Sequence, residues 1–93
     1  MITLKSAHEI ELMRRAGKIT AAARAVARDM VKPGVTTQQI DKAVHRFITE
    51  QGAIPSFLHY NGYPASVCVS VNDEIIHGIP GKRVLQEGDI VSV

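Results

Sequence analysis

The sequence has little of several features that define common classes of protein. It contains a single cysteine, Cys68, among 93 residues, which excludes an internal disulfide and favours a reducing compartment. No apolar run approaches the roughly 20 residues of a membrane-spanning helix. From Lys5 onward, charges interrupt the N-terminus where a signal peptide has its apolar core. These absences predict a soluble cytoplasmic protein.

Several short motifs of known chemistry are also missing. The sequence has no H-E-x-x-H, no paired C-x-x-C and no glycine-rich phosphate loop. A formal net charge of +2 is too small to indicate nucleic-acid binding by itself. What remains is an ordinary globular composition, 45% hydrophobic and 22% charged, in a length typical of one small domain.

The first third of the sequence predicts one long helix. "SAHE" at 6–9 is a capping box, and the helical periodicity continues to about Val31, before Pro33-Gly34. We expect it to bury one continuous face, formed by Leu12, Ala16, Ile19, Ala23, Val26 and Met30. The opposite face carries Arg14, Lys18, Arg24, Arg28 and Lys32. A solvated surface is the favoured interpretation of this basic face, and contact with ribosomal RNA is the alternative.

The remaining segments predict a second helix followed by strands. "TTQQ" at 36–39 is another capping box, which starts a helix from about Thr37 to Gln51. "SVCVSV" at 66–71 alternates in the manner of a strand, "EIIH" at 74–77 is a short extended piece, and "EGDIVSV" at 87–93 is a turn that leads into a strand. The order of elements is therefore helix, helix, loop and strands.

An aromatic loop stands out between the second helix and the first strand. "FLHYNGYPAS" contains Phe57, Tyr60 and Tyr63, which are three of the four aromatic residues in the chain. Aromatic side chains on a loop that Gly62 and Pro64 restrain can form one wall of an apolar pocket. These aromatic side chains can also close the core from above, and composition alone favours this second interpretation.

Two further residues near this loop could carry chemistry. His77 opens "HGIP", where the backbone can hold an imidazole at a fixed angle, although a lone histidine at a strand end is more often structural. Cys68 lies inside the alternating strand, and no neighbouring pattern supplies it with a base. The simpler interpretation of Cys68 is a small, soft, buried side chain.

Together these segments resemble the type I methionine aminopeptidases. The matching text is "SAHEIELMRRAGKI", "KPGVTTQQID", "YNGYPASVCVSVNDEIIHGIP" and "LQEGDIVSV", in family order over nearly the whole chain. The resemblance implies an α/β (α+β) fold of the pita-bread type, in which two similar halves flank a shared antiparallel sheet. This chain is then expected to form the N-terminal half, with two helices packed on the sheet.

The resemblance also implies an activity and its cofactors. Complete members of the family remove the initiator methionine from nascent polypeptides. They use two divalent metal ions (Co, Mn, Fe or Zn), held by two aspartates, one histidine and two glutamates. The first of these ligands follows "GDIVSV" directly, and this chain ends at Val93. Residues 1–93 are therefore expected to be a half-domain cut before the first metal ligand, inactive alone and in need of a missing C-terminal half.

The same resemblance assigns the substrate side of the site to this chain. His77 matches the family histidine that hydrogen-bonds the substrate beside the metals. Tyr60, Tyr63 and Cys68 match positions that line the pocket for the methionine side chain, and Phe57 stands where some members have cysteine. No residue of this chain matches a metal ligand. The alternatives are a non-catalytic truncated fragment and a module that binds the ribosome.

Overall fold

Two helices provide most of the regular structure. The computed structural model describes residues 2–93, with α1 at Ala7–Met30 and α2 at Thr37–Glu50. A two-stranded antiparallel sheet follows, formed by β1 at Ser70–Val71 and β2 at Val91–Ser92. Within the described part of the chain, neither helix is long and apolar enough to cross a membrane.

Both predicted capping boxes are present. The Ser6 hydroxyl accepts from the Glu9 amide at 3.2 Å, and the Glu9 carboxylate accepts from the Ser6 amide at 2.8 Å. Thr36 and Gln39 repeat the arrangement at 3.1 and 2.8 Å. Hydrogen bonds from Ser6 lower the pKa of Glu9. Local sequence signals therefore fix where each helix begins.

The sheet is shorter than the alternation of its residues predicts. Of the strand expected over 66–71, only Ser70 and Val71 join the ladder, opposite Ser92 and Val91. The Ser66 and Val67 amides instead donate to the Asp41 carboxylate of α2, at 2.8 and 3.0 Å. The beginning of this segment is therefore bonded to a helix, and the expected strand is wrong there.

The segment 74–77, expected to be a short extended piece, does not join the sheet. It follows a turn at Asn72, and it ends at His77, whose φ of 57° lies in the left-handed region and breaks an extended backbone. Ile75 and Ile76 on this segment are exposed to solvent.

The core lies where the two helices meet the sheet and the loop before β2. Its buried members are Ala23, Ala27, Ile40, Val44, Val69, Val71 and Leu85. The expectation of one continuous buried face on α1 is right only for its second half. Leu12 remains 47% exposed, and Ala16 is also exposed. A 24-residue helix is about 36 Å long, and its first turns extend past α2 and the loops that cover its second half.

The basic face of α1 is exposed, as both of its interpretations require. Two of its arginines form ion pairs along the helix, Arg14 with Glu11 at 2.9 Å and Arg28 with Asp29 at 3.4 Å. Exposed pairs of this kind contribute little stability. Contact of this face with the ribosome stays a prediction.

An Asn–Asp pair connects the end of β1 to the start of β2. The Asn72 side chain donates to Asp89 at 3.0 Å and accepts from the Ile90 amide at 3.0 Å, while its own amide donates to the Ile90 carbonyl at 2.8 Å. Asparagine suits this position because its φ is 55°. The hydrogen bond from the side-chain amide of Asn72 lowers the pKa of Asp89 from its ordinary value of 3.8. The Gln86 backbone amide and the charge of Arg83 lower it further.

Replacing Asn72 is expected to raise the pKa of Asp89 back toward 3.8. Because the folded-state pKa is lowered, the stability it contributes is present above the unfolded value and is lost as pH falls through the folded value. An NMR titration of the Asp89 carboxyl in Asn72→Ala measures the change. Asn72→Gly is the control, since it keeps the left-handed backbone without strain and should give the same rise. An unchanged midpoint in both variants would contradict this account of the pair.

Candidate functional site

A cleft opens between the aromatic loop and the HGIP segment. Its volume is about 490 Å³, and the side chains that line it include all the residues singled out from the sequence: Phe57, Tyr60, Tyr63, Cys68 and His77. The lining is completed by Asn61, Gly62, Pro64 and Ile79. Apart from one imidazole and one amide, these are apolar, aromatic or sulfur-containing groups. The walls therefore suit an uncharged, apolar side chain.

The aromatic loop is shaped by a short 3₁₀ turn at Tyr60–Gly62. His59 and Asn61 have φ values of 66° and 48°, which reverse the chain, and the His59 amide donates to the Tyr63 carbonyl at 2.8 Å. The turn brings Phe57 and Tyr63 together edge to face, with ring centroids 5.9 Å apart and an interplanar angle of 72°. Two rings are thus fixed against each other on one wall.

Tyr63 also makes polar contacts behind the wall. Its hydroxyl donates to the Val67 carbonyl at 2.9 Å and lies 3.3 Å from the Gly78 carbonyl. Burial raises the pKa of Tyr63, and the neighbouring Cys68 and Asp41 side chains raise it further. The hydroxyl therefore stays protonated and available as a donor at neutral pH.

The backbone next to His77 is packed tightly against β1. A Cβ atom at Gly78 would lie 2.2 Å from the Val69 carbonyl oxygen and 2.9 Å from the Ser70 Cα. The Val69 amide donates to the Gly78 carbonyl at 2.8 Å, and the Gly78 amide donates to the Ser70 hydroxyl at 3.1 Å. This contact anchors the residue that follows His77, while the imidazole itself is exposed at the edge of the cleft.

Side chains from α2 support the cleft from below. The Asp41 carboxylate accepts hydrogen bonds from the Ser66 and Val67 amides, and His45 Nδ1 lies 2.7 Å from the Ser66 hydroxyl. These contacts hold the segment that leads to Cys68. Sequence reasoning did not find this role for Asp41 or His45, because their partners are more than 20 positions away in the chain.

The described residues do not offer a metal-binding site. Among residues 2–93, no group of three or more His, Cys, Asp or Glu side chains is placed to hold a metal ion. They therefore do not fit the two-metal site that complete members of the resembled family carry.

Comparison with known sequences gives the class of protein to which this chain belongs. The sequence pattern of metallopeptidase family M24 matches residues 11–93, and the chain belongs to this family. Curated relatives of this chain are named as methionine aminopeptidases. Methionine aminopeptidase 1 of Bacillus subtilis is 50% identical over 93 residues, and the enzyme of Clostridium acetobutylicum is 53% identical over 94. The resemblance predicted from the motifs is confirmed.

Solved structures agree with the fold. Methionine aminopeptidase from Thermotoga maritima matches with a TM-score of 0.95 at 41% identity, and that from Rickettsia prowazekii with 0.93 at 43%. Each match covers 98% of this chain but 37% of the solved chain, and the chain spans 38% of the Bacillus relative. The predicted fold, two helices with an antiparallel sheet as part of the pita-bread architecture, is confirmed. The roles assigned to the cleft residues stay predictions.

Proposed function

We propose that this chain forms the substrate-pocket part of a methionine aminopeptidase, an enzyme that removes the initiator methionine from nascent polypeptides by metal-dependent hydrolysis. The observation that carries the proposal is the meeting, around one cleft, of the five side chains that the resemblance assigns to the substrate site. Membership of family M24 supports the reaction class. The names of the relatives support the substrate.

The chemistry of the cleft suits methionine better than a charged N-terminal residue. Aromatic rings from Phe57, Tyr60 and Tyr63 offer edges and faces for a thioether, whose sulfur makes favourable contacts with aromatic groups. Cys68 adds a soft, polarizable neighbour. A charged N-terminal side chain would lose its hydration here without gaining an ionic partner.

His77 is proposed to orient the substrate. Its imidazole lies at the rim of the cleft, and its backbone is fixed by the packed glycine that follows. Such an imidazole can donate a hydrogen bond to a substrate whose side chain fills the pocket, and so hold the scissile amide in place. Neutral imidazole suits this role because it donates without bringing a positive charge toward a metal centre.

The metal ligands are proposed to come from polypeptide other than the described residues. In this proposal residues 1–93 are the N-terminal half of a catalytic domain. Support comes from the relatives, of which this chain spans less than two fifths. Divalent metals such as Co, Mn, Fe or Zn are the expected cofactors of the complete domain.

A chimera tests this function directly. It joins residues 1–93 to the remaining part of the Bacillus subtilis methionine aminopeptidase, which the matched region does not include. With cobalt or manganese added, the chimera is expected to release free methionine from the peptide Met-Ala-Ser, detected by mass spectrometry. A chelator should abolish the release, and readdition of metal should restore it.

Two controls make the result decisive. N-acetyl-Met-Ala-Ser has no free amine and should not be cleaved, and circular dichroism establishes that the chimera is folded. A folded chimera that leaves Met-Ala-Ser intact with every metal contradicts the proposal. The non-catalytic alternatives, including salt-dependent ribosome binding, would then be favoured.

A further inference from the structure

We propose that Tyr63 is a positioning residue for His77, which it acts on through the Gly78 carbonyl. The proposal rests on the function proposed above, because it takes His77 as the group that orients the substrate. It gives Tyr63 a second role besides that of a pocket wall. The ring faces the cleft while the hydroxyl reaches the backbone beside the imidazole.

The hydroxyl connects two segments that are distant in the chain. It lies 2.9 Å from the Val67 carbonyl, just before β1, and 3.3 Å from the Gly78 carbonyl in the HGIP segment. Both partners are acceptors only, so the hydroxyl must donate, and its single proton is shared between them. The shorter distance makes Val67 the principal acceptor and Gly78 the secondary one.

The Gly78 carbonyl is a critical point for the orientation of His77. It accepts from the Val69 amide at 2.8 Å as well as from Tyr63, so two donors hold one peptide plane. That plane joins Gly78 to Ile79, and the plane before it, which joins His77 to Gly78, is held by the hydrogen bond from the Gly78 amide to the Ser70 hydroxyl at 3.1 Å. His77 itself has a φ of 57°, a conformation that costs a non-glycine residue free energy and persists only when its surroundings enforce it. Loosening the Gly78 carbonyl therefore loosens the residue to which the His77 backbone is joined.

Tyr60 provides a matched comparison within the same cleft. It is the other tyrosine of the chain, it also lines the cleft, and its side chain is 66% exposed. The described residues show no hydrogen bond from its hydroxyl to Gly78. Removing each hydroxyl in turn keeps both rings, so a difference between the two variants reports on the hydroxyl of Tyr63.

Amide hydrogen exchange of the chain, followed by NMR, tests the proposal. In Tyr63→Phe, the Val69 amide is expected to exchange about fivefold faster, the effect of one lost hydrogen bond. The Cα and Hα shifts of His77 should move away from left-handed values. Tyr60→Phe should leave both observables unchanged, and the amides of Ile40 and Val44 should change less than Val69 in both variants.

The unsubstituted chain offers a second measurement that does not depend on a variant folding. A tyrosine hydroxyl proton held between two carbonyls exchanges slowly with water and gives a resolved NMR signal, with a cross-peak to Gly78. Such a signal supports the proposal, and its absence overturns it. Unchanged His77 shifts in folded Tyr63→Phe, or exchange that rises evenly through the chain, would also overturn it.

The chimera adds a kinetic measurement that a purely structural role would not alter. Tyr63→Phe keeps the ring in the pocket, so kcat for Met-Ala-Ser is expected to fall about tenfold while KM changes less than about threefold. A change in KM with an unchanged kcat contradicts the positioning role of Tyr63. If no chimera cleaves peptide at all, the proposed function fails, whereas the NMR results still decide whether Tyr63 orders His77.

Discussion

In the chimera, His77→Ala is expected to lower kcat for Met-Ala-Ser by about a hundredfold or more, the usual loss when a preorganised donor to the reacting group is removed. The imidazole is exposed where it lines the cleft, and the three aromatic rings and Cys68 stay in place without it. KM should therefore change far less than kcat, since the apolar pocket remains. Steady-state kinetics on folded protein measures both constants.

His8→Ala is the matched control for that substitution. His8 is exposed in the first turn of α1 and does not line the cleft. Replacing His8 should leave kcat within about twofold of the unsubstituted chimera, because substitutions of exposed side chains away from a binding site have small effects. A His77→Ala chimera that keeps full turnover would show that the orienting role belongs to another group.

Gly78→Ala is expected to destabilise the chain by about 3 kcal/mol or more, because the added methyl meets backbone that cannot move aside cheaply. The nearest atom would be the Val69 carbonyl oxygen at 2.2 Å, followed by the Val69 carbonyl carbon at 2.8 Å. Relieving the clash requires separation of the HGIP segment from β1, which also breaks the hydrogen bond between the Val69 amide and Gly78. Urea unfolding followed by circular dichroism measures the loss.

The same substitution at another glycine should have the opposite sign. Gly17 lies within α1, and a Cβ there meets no atom within 4 Å. Gly17→Ala is therefore expected to stabilise the chain by about 0.5–1 kcal/mol, since alanine favours a helix interior. If both variants unfold at the same urea concentration, the close packing of Gly78 on β1 is not what the structure indicates.

The helices could be predicted from the sequence because their signals are local. Each capping box lies within four residues, and the hydrogen bonds it implies are the ones the structure contains. The strands could be predicted less well, because pairing depends on a partner elsewhere. Alternation over 66–71 indicated a full strand, but the Ser66 and Val67 amides donate their hydrogen bonds to Asp41 of α2. The exposed first half of α1 also depends on how far other elements reach.

The candidate site shows the same division. The residues around the cleft came from motifs at family spacing, and the structure brings all five of them together. No pattern in the sequence indicated that the glycine of HGIP is a position where any side chain would clash. The hydroxyl contacts of Tyr63 were also missed, because they span 4 and 15 positions and depend on the final fold.

The most direct test of the account is whether the cleft selects methionine. Cys68→Phe in the chimera adds a ring to the cleft, and Cys68→Ser is the control that keeps its size. The measured quantity is the ratio of kcat/KM for Met-Ala-Ser to that for Ala-Ala-Ser. The account predicts that Cys68→Phe lowers this ratio at least about tenfold, because a filled pocket rejects the longer side chain, while Cys68→Ser changes it by less than about threefold. An unchanged ratio in Cys68→Phe would show that methionine is recognised somewhere other than this cleft.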